Sequence, residues 1–370
     1  MISVFGSKIG KEEIQNVISC MEDQWLGFGK EVEKFEIEFC QKLNLKNFAM
    51  VDSGSNALFM AIKLLNLPPK SEIILPSFTW VSCAQAVLMA GHKPVFCDVD
   101  IETMNIRPID VSNQLTKKTA AIMVVDYAGL PVEMESISAF GLPVVEDAAH
   151  AVHSIYNGFS CGALADVAIY SFDAVKNLAV GEGGGITAKN NELIKRAKKL
   201  RYCGIGKSGF DAAISKTNNN SRWWEYNIEE PFIKMLPTNI AGAIGLAQIK
   251  KIDKLQKKRK KIWDIYQSEF KSIDWISNPI NAKKGDRHSY FTYCIRIPQR
   301  DKLANYLLEN GIYTTLRYHP LHLNKLYNQT SKVLKNSEKL NEIALNIPLH
   351  PRLTEEDISK IINCIKSFKL

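Results

Sequence analysis

The chain has 370 residues, 46% of them hydrophobic, and a formal net charge of +8. This is an ordinary globular composition, long enough for a large cored domain with a smaller one beside it. Its eight cysteines (Cys20, Cys40, Cys83, Cys97, Cys161, Cys203, Cys294 and Cys364) are scattered through apolar segments, without a C-x-x-C pair or a Cys/His cluster. That pattern argues for reduced, buried thiols against zinc ligands or a disulfide framework, and no metal site is expected. The N-terminus lacks a basic region followed by an apolar core, and no apolar run approaches the roughly 20 residues of a bilayer span, so a soluble cytoplasmic protein without membrane contact is the expectation.

Short apolar runs alternate with amphipathic stretches over the first two thirds of the chain. Phe48 to Val51, Ile73 to Leu75, Pro94 to Val99, Ala120 to Val125 and Pro143 to Val145 read as buried strands, with Ala57 to Leu67 and Val81 to Ala90 as helices among them. Val167 to Phe172 and Gly185 to Ala188 add two further strands. The alternation predicts an α/β domain built on a mostly parallel sheet, with ligands gathered at the strands' carboxyl ends.

The polar run Lys207 to Arg222 reads as a mobile loop, and low complexity is confined to Asn218 to Asn220. In KKIDKLQKKRKK, Lys250 to Lys261, apolar Ile252, Leu255 and Ile262 recur at helical spacing, so the lysines read as a solvated helix face. No aromatic interleaving or reader motif points to nucleic acid. Beyond lie a strand-like Tyr290 to Ile297, a helical Leu303 to Glu309 and a last helix, Glu355 to Phe368, behind Thr354 as N-cap. This predicts a large domain over residues 1–249 and a smaller α+β domain over 250–370, the N-terminal segment being a candidate to pack on the latter.

Four stretches carry candidate chemistry. In DSGSNALFMAI a strand ends at Ser53-Gly54-Ser55 and a helix begins near Asn56; its first N–H groups form either an anion site or an ordinary capped turn. In PSFTWVS, Trp80 follows a strand and is either core or a face for a planar ring. In GLPVVEDAAHA a strand delivers Glu146 and Asp147, with His150 three residues on. A carboxylate there holds a proton on a heteroaromatic nitrogen by raising its pKa, or Asp147 caps the next helix.

In YSFDAVKNLAVGEGGG, Ser171 ends a strand and Lys176 precedes Gly181, Gly183, Gly184 and Gly185. A nucleotide P-loop is excluded, because its lysine follows the glycines and is itself followed by Ser or Thr. Lys176 is either a solvated charge or a desolvated amine with a lowered pKa, nucleophilic toward carbonyls. Taken together, an anion nest, a serine, a carboxylate, a flat aromatic and a loop lysine are what pyridoxal phosphate needs. Lys176 would form the Schiff base, Asp147 would keep the pyridine nitrogen protonated, and Ser171 with the amides near Ser55 and Asn56 would bind phosphate.

The ordered segments QWLGFGKEVEKFE, SGSNAL, ILPSFTW, GHKPVFCDVD, VEDAAHA, YSFDAVKNLAVGEGG, AGAIGLAQ, PLHL and IPLHPRLTEEDI resemble the DegT/DnrJ/EryC1/StrS family of nucleotide-sugar aminotransferases over nearly the whole chain. The resemblance implies the aspartate-aminotransferase fold (pyridoxal-phosphate fold type I): a seven-stranded, mostly parallel sheet domain and a small α+β domain. It makes Lys176 the Schiff-base lysine and Asp147 the pyridinium partner, and places His150 near the phenolic oxygen, Trp80 on the ring, and Ser171, Ser55 and Asn56 at the phosphate. It also implies a homodimer with shared sites, and glutamate as donor to a nucleotide-linked 4-keto-6-deoxyhexose, C4 being favoured over C3 by QWLGFG, for O-antigen, other surface polysaccharide or glycosylated metabolites.

Related sugar 3-dehydratases carry histidine at the lysine position, so Lys176 favours amino transfer over dehydration or a regulatory role. Two departures stand out. Phe232 aligns with the family's cross-subunit asparagine, leaving Asn239 or a backbone group as substitute, and Arg317-Tyr318-His319 replaces His-Tyr before PLHL. Arg317 either pairs with a carboxylate or diphosphate or faces solvent; Tyr318 and His322 join it as substrate candidates, with Trp223 of the Lys207 to Trp224 loop toward the nucleotide.

Overall fold

The computed structural model describes residues 1–206 and 224–369. Strands β1 (Ala49–Val51), β2 (Glu72–Pro76), β3 (Lys93–Cys97), β4 (Thr119–Val125) and β5 (Val144–Asp147) are followed by a short hairpin of β6 (Ile155–Tyr156) and β7 (Phe159–Ser160), and then by β8 (Val167–Ser171) and β9 (Gly184–Ala188). Seven of these form one sheet in the order β1-β9-β8-β5-β4-β2-β3. Neighbours from β3 to β8 run parallel, and β9 runs antiparallel to both β8 and β1. The expected strands are all present, and β5 extends two residues further than its apolar run, carrying Glu146 and Asp147 within the sheet.

These strands are buried on both faces, which is why they read as continuous apolar runs without alternation. Helices α1 (Lys11–Glu22), α2 (Lys30–Leu43), α3 (Gly54–Leu64) and α4 (Val81–Met89) precede or link the early strands. The α2 side chains Phe35 and Phe39 pack with Phe48, Tyr170 and Phe172. Full burial of each such ring contributes about 1.5–3 kcal/mol.

The glycines after Lys176 serve two needs. Gly181 sits at φ +98°, which favours a residue without Cβ. Gly184 has no such angle; a Cβ there would fall 2.4 Å from the Ser53 carbonyl, so its bare backbone lets β9 press against the start of α3.

The charged helix expected from about Lys250 begins earlier, at Asn239, and runs to Phe270, so residue 250 lies inside one continuous helix. Its first half packs through Ala241, Leu246, Ile249 and Ile252 on the α2 side. Its second half, through Ile262, Trp263, Tyr266 and Phe270, forms the core of the smaller unit with β10 (Tyr293–Arg296), β11 (Ala344–Ile347) and the helix Glu355–Ser367. Thr354 caps that helix, accepting the Asp357 N–H at 3.1 Å. Most lysines of the long helix face solvent or pair with acids, Lys260 with Asp264 and Lys261 with Glu355. Arg259 is buried and donates to the carbonyls of Phe291 and Leu349 at 3.2 and 3.1 Å.

The N-terminal residues cross to this smaller unit. Ile2 donates its N–H to the Gly311 carbonyl at 2.7 Å, and Phe5 stacks on Phe291, ring centroids 5.5 Å apart. No helix among the described residues is long and apolar enough to cross a membrane.

Candidate functional site

Parallel β5 and β8 end side by side, so Asp147 and Ser171 emerge at the same carboxyl edge as the loops leading into α3 and α4. A cavity of about 310 Å³ opens there, lined by Ser53, Gly54, Ser55, Thr79, Trp80, Ser82, Asp147, His150, Ser171, Asp173, Lys176, Glu182, Arg317 and Tyr318 among others. The four separate stretches of sequence therefore meet.

One end of the cavity is polar and uncharged. Ser53 caps α3, its Oγ accepting the Asn56 N–H at 3.2 Å, so the N–H groups of Gly54 and Ser55 keep no acceptor among the described residues. Gly54 lies so close to Ser171 that a Cβ would stand 2.7 Å from the Ser171 Cβ. Ser55 Oγ and Ser82 Oγ are 2.7 Å apart.

Asp147 forms the floor. No helix follows β5, so the capping alternative gives way to a turn in which Asp147 Oδ1 accepts the Ala149 N–H at 3.0 Å. Burial raises its carboxyl above the usual range, opposed by the Cys83 thiol, the Ala149 N–H and the charge of Lys176. His150 is stacked on Phe291 at 4.0 Å and shares a hydrogen bond of 3.0 Å with the Tyr318 hydroxyl through Nε2, while its buried Nδ1 has no partner. Burial, then the charges of Lys176 and Arg317, push its pKa well below 6.5 and keep it neutral.

Lys176 lies in the loop after β8, its Nζ 4.9 Å from the Phe291 ring centroid. Burial pushes its pKa down to about 8, reinforced by Arg317 and opposed by Asp147 and Asp173. The Arg317 guanidinium rests 3.8 Å from the Phe5 ring centroid. Among the described residues no carboxylate lies within ion-pair distance of Lys176 Nζ or of the Arg317 guanidinium. Trp80 remains 53% exposed at the rim, its ring 5.6 Å from that of Tyr318.

Three candidates are placed elsewhere. Asn56 does not line the cavity; its amide serves the Ser53 cap and its side chain donates to Asp52 at 2.8 Å. Asn239 is buried, its Oδ1 accepting the Glu31 N–H at 2.9 Å and its Nδ2 donating to the Trp25 carbonyl at 3.2 Å, so it holds the start of α2 and the QWLGFG turn within its own chain. His322 is buried between Ser77 at 2.7 Å and Glu338 at 3.2 Å, pinning its turn to the end of β2. Trp223 lies outside the described residues, and Phe232 stacks on Phe59 of α3 at 5.6 Å.

Sequence reasoning missed Thr79, Ser82 and Cys83, although PSFTWVS held the first two and Cys83 follows Trp80 by one helical turn. It also missed Phe5 and Phe291, apolar residues with no local mark of function. On the face of β5 opposite Asp147, Asp126, Glu146 and Cys161 bring potential ligand atoms within 4.8 Å of one another, a cluster invisible in their spacing.

The groups gathered in this cavity fit pyridoxal 5′-phosphate. Free N–H groups beside Ser55 and Ser171 suit a phosphate, Asp147 suits a protonated ring nitrogen, and the Lys176 amine suits an aldehyde carbon.

The model of the DegT/DnrJ/EryC1/StrS aminotransferase family matches residues 7–366. The dTDP-4-dehydro-2,3,6-trideoxy-D-glucose 4-aminotransferase of Saccharopolyspora spinosa is 34% identical over 370 residues, spanning 98% of this chain and 95% of that protein. The structure of the aminotransferase TlmJ from Streptoalloteichus hindustanus superposes with a TM-score of 0.92 at 32% identity, over 99% of this chain and 98% of that one. That of Helicobacter pylori PseC, an aminotransferase involved in the biosynthesis of pseudoaminic acid, gives 0.91 at 25% identity, over 99% and 100%.

Proposed function

The chain belongs to the DegT/DnrJ/EryC1/StrS aminotransferase family and is a pyridoxal-phosphate-dependent sugar aminotransferase, and we propose that it moves the amino group of L-glutamate to C4 of a nucleotide-linked 4-keto-6-deoxyhexose. The observation that carries this reading is the sharing of one cavity by an amine of lowered pKa, Lys176, a buried carboxyl, Asp147, and an arginine, Arg317, with no carboxylate at ion-pair distance among the described residues. The 4-aminotransferase among the relatives supports C4, as does the QWLGFG turn.

When bound, the cofactor supplies an electron sink for a carbanion at the donor's α-carbon. In this reading Ser55, Ser171 and the N–H groups of Gly54 and Ser55 hold its phosphate, Trp80 covers one ring face, and Asp147 keeps a proton on the ring nitrogen. Neutral His150, fixed by Tyr318, faces the same ring. Lys176 Nζ, as the general base, takes the proton from the donor's α-carbon and later returns one to the aminated sugar carbon. Arg317 holds a carboxylate of glutamate by charge-assisted hydrogen bonds.

We further read the protein as a cytoplasmic homodimer with shared sites. Eight unpaired cysteines support a reducing compartment, and an exposed apolar stripe on α1, Ile14, Ile18 and Met21, continuing to Trp25 and Leu26, supports burial against a second copy. The product would serve O-antigen, other surface polysaccharide or metabolite glycosylation. The test is incubation of holoenzyme with glutamate and dTDP-, UDP- and GDP-linked 4-keto sugars. Aminated products support the reading; deoxygenated sugars, or no product from any of the panel, overturn it.

A further inference from the structure

The two oxygens of Asp147 are provided for differently. Oδ1 takes a backbone N–H at 3.0 Å, whereas the only side-chain partner of Oδ2 among the described residues is Cys83 Sγ at 3.1 Å. Cys83 is fully buried on the first turn of α4, and its sulfur also lies 3.2 Å from Thr79 Oγ1. A thiol has one proton to give. Asp147 Oδ2 accepts it, which leaves the sulfur as acceptor for the Thr79 hydroxyl, and a chain Thr79 to Cys83 to Asp147 results. Burial first, and the charge of Asp147 second, hold the thiol well above its ordinary pKa, so it stays protonated and acts as a donor, not a nucleophile.

We propose that Cys83 is a positioning residue for the cofactor: its thiol locks the Asp147 carboxylate so that Oδ2 meets the ring nitrogen. Because S–H is a weak donor, it fixes the carboxylate while leaving most of the negative charge on Oδ2 for the ring. The proposal rests on the reading of Asp147 as the ring partner. It assigns a task to a residue that composition marks only as a buried thiol.

The test compares wild type, Cys83→Ala, Cys83→Ser and Asp147→Asn, reading the dissociation constant of pyridoxal 5′-phosphate from the apoprotein and the pH midpoint of the bound cofactor's visible band. Cys83→Ala is expected to weaken cofactor binding about 3- to 10-fold, the range of one net hydrogen bond, and to move the midpoint. Cys83→Ser, which keeps a donor, is expected to recover both to within about 2-fold of wild type. If Asp147→Asn impairs binding while Cys83→Ala matches wild type in both readouts, the proposal is overturned and the site reading stands. Equal impairment of the Ala and Ser variants also overturns it, since loss of packing would then suffice. If Asp147→Asn binds as wild type does, the assignment of Asp147 fails and the Cys83 proposal with it.

Discussion

The ammonium of Lys176 sits over the ring of Phe291, 4.9 Å from its centroid, and the same ring stacks on His150 at 4.0 Å. Burial first, and the charge of Arg317 second, disfavour the charged amine, which is why its pKa falls to about 8. The neutral amine is the form that attacks a carbonyl. The rate at which apoprotein captures pyridoxal 5′-phosphate should therefore rise with pH through a midpoint near 8, not near the 10.5 of a free lysine. Arg317→Gln removes the nearby positive charge and should raise that midpoint. A midpoint unchanged by the substitution would contradict the coupling between the two residues.

Arg317 has aromatic neighbours but no carboxylate among the described residues, which leaves its charge for a ligand. If it anchors glutamate, Arg317→Gln should raise the KM for glutamate about 10- to 100-fold, the range of a lost charge-assisted hydrogen bond, while leaving the KM of the sugar within about 3-fold. Steady-state kinetics with each substrate varied in turn separates the two. A larger effect on the sugar would place its diphosphate at Arg317 instead.

Glu146 and Asp126 are buried with one unpartnered oxygen each, and burial raises both, Asp126 to about 6 and Glu146 well above its usual range; the charge of Asp126 adds to the rise of Glu146, while contact with Glu146 opposes that of Asp126. The folded state therefore holds a proton that the unfolded chain releases above roughly pH 4.5. Stability is fully present below that value and declines as pH rises through the folded pKa values. Glu146→Gln keeps a donor toward Asp126 without a titrating proton. Denaturation in urea at pH 5 and pH 8 should show a smaller loss between the two for the variant than for wild type. An equal loss would show that the pair is not the source.

Asn239 spends both side-chain atoms on its own chain. Asn239→Ala should cost about 1–3 kcal/mol of unfolding free energy, since buried partners on Glu31 and Trp25 lose their bonds, and should leave cofactor affinity within about 2-fold. A stable variant with weakened cofactor binding would instead give Asn239 the cross-subunit role its position in the sequence suggested.

Much of the fold was legible because both faces of the central sheet are buried, so the strands of that sheet stand out as apolar runs bounded by polar turns, whereas the short, partly exposed hairpin β6-β7 does not. The boundary expected near residue 250 falls inside one helix, which changes its buried partners between Ile252 and Ile262 without any break in helical spacing to mark it. That Asp147, Ser171 and Lys176 gather in one cavity was readable because charged or polar residues at or just beyond strand ends stand against apolar surroundings. Asn56, Asn239 and His322 lie away from that cavity for a reason their motifs do not show: their side chains bond within the fold itself, to Asp52, Glu31 and Ser77. Cys83 and Phe291 gave no mark, because a buried thiol and a buried ring look the same in sequence whether or not a site lies beside them.

The most direct measurement is transfer of a nitrogen label. Holoenzyme is mixed with L-glutamate carrying ¹⁵N on its amino group and with a dTDP-linked 4-keto-6-deoxyhexose, and the products are followed by mass spectrometry and NMR. The account predicts ¹⁵N bound at C4 of the sugar, formed in step with 2-oxoglutarate and absent in Lys176→Ala. Label appearing at C3, a sugar deoxygenated without gaining nitrogen, or undiminished transfer by Lys176→Ala would contradict it.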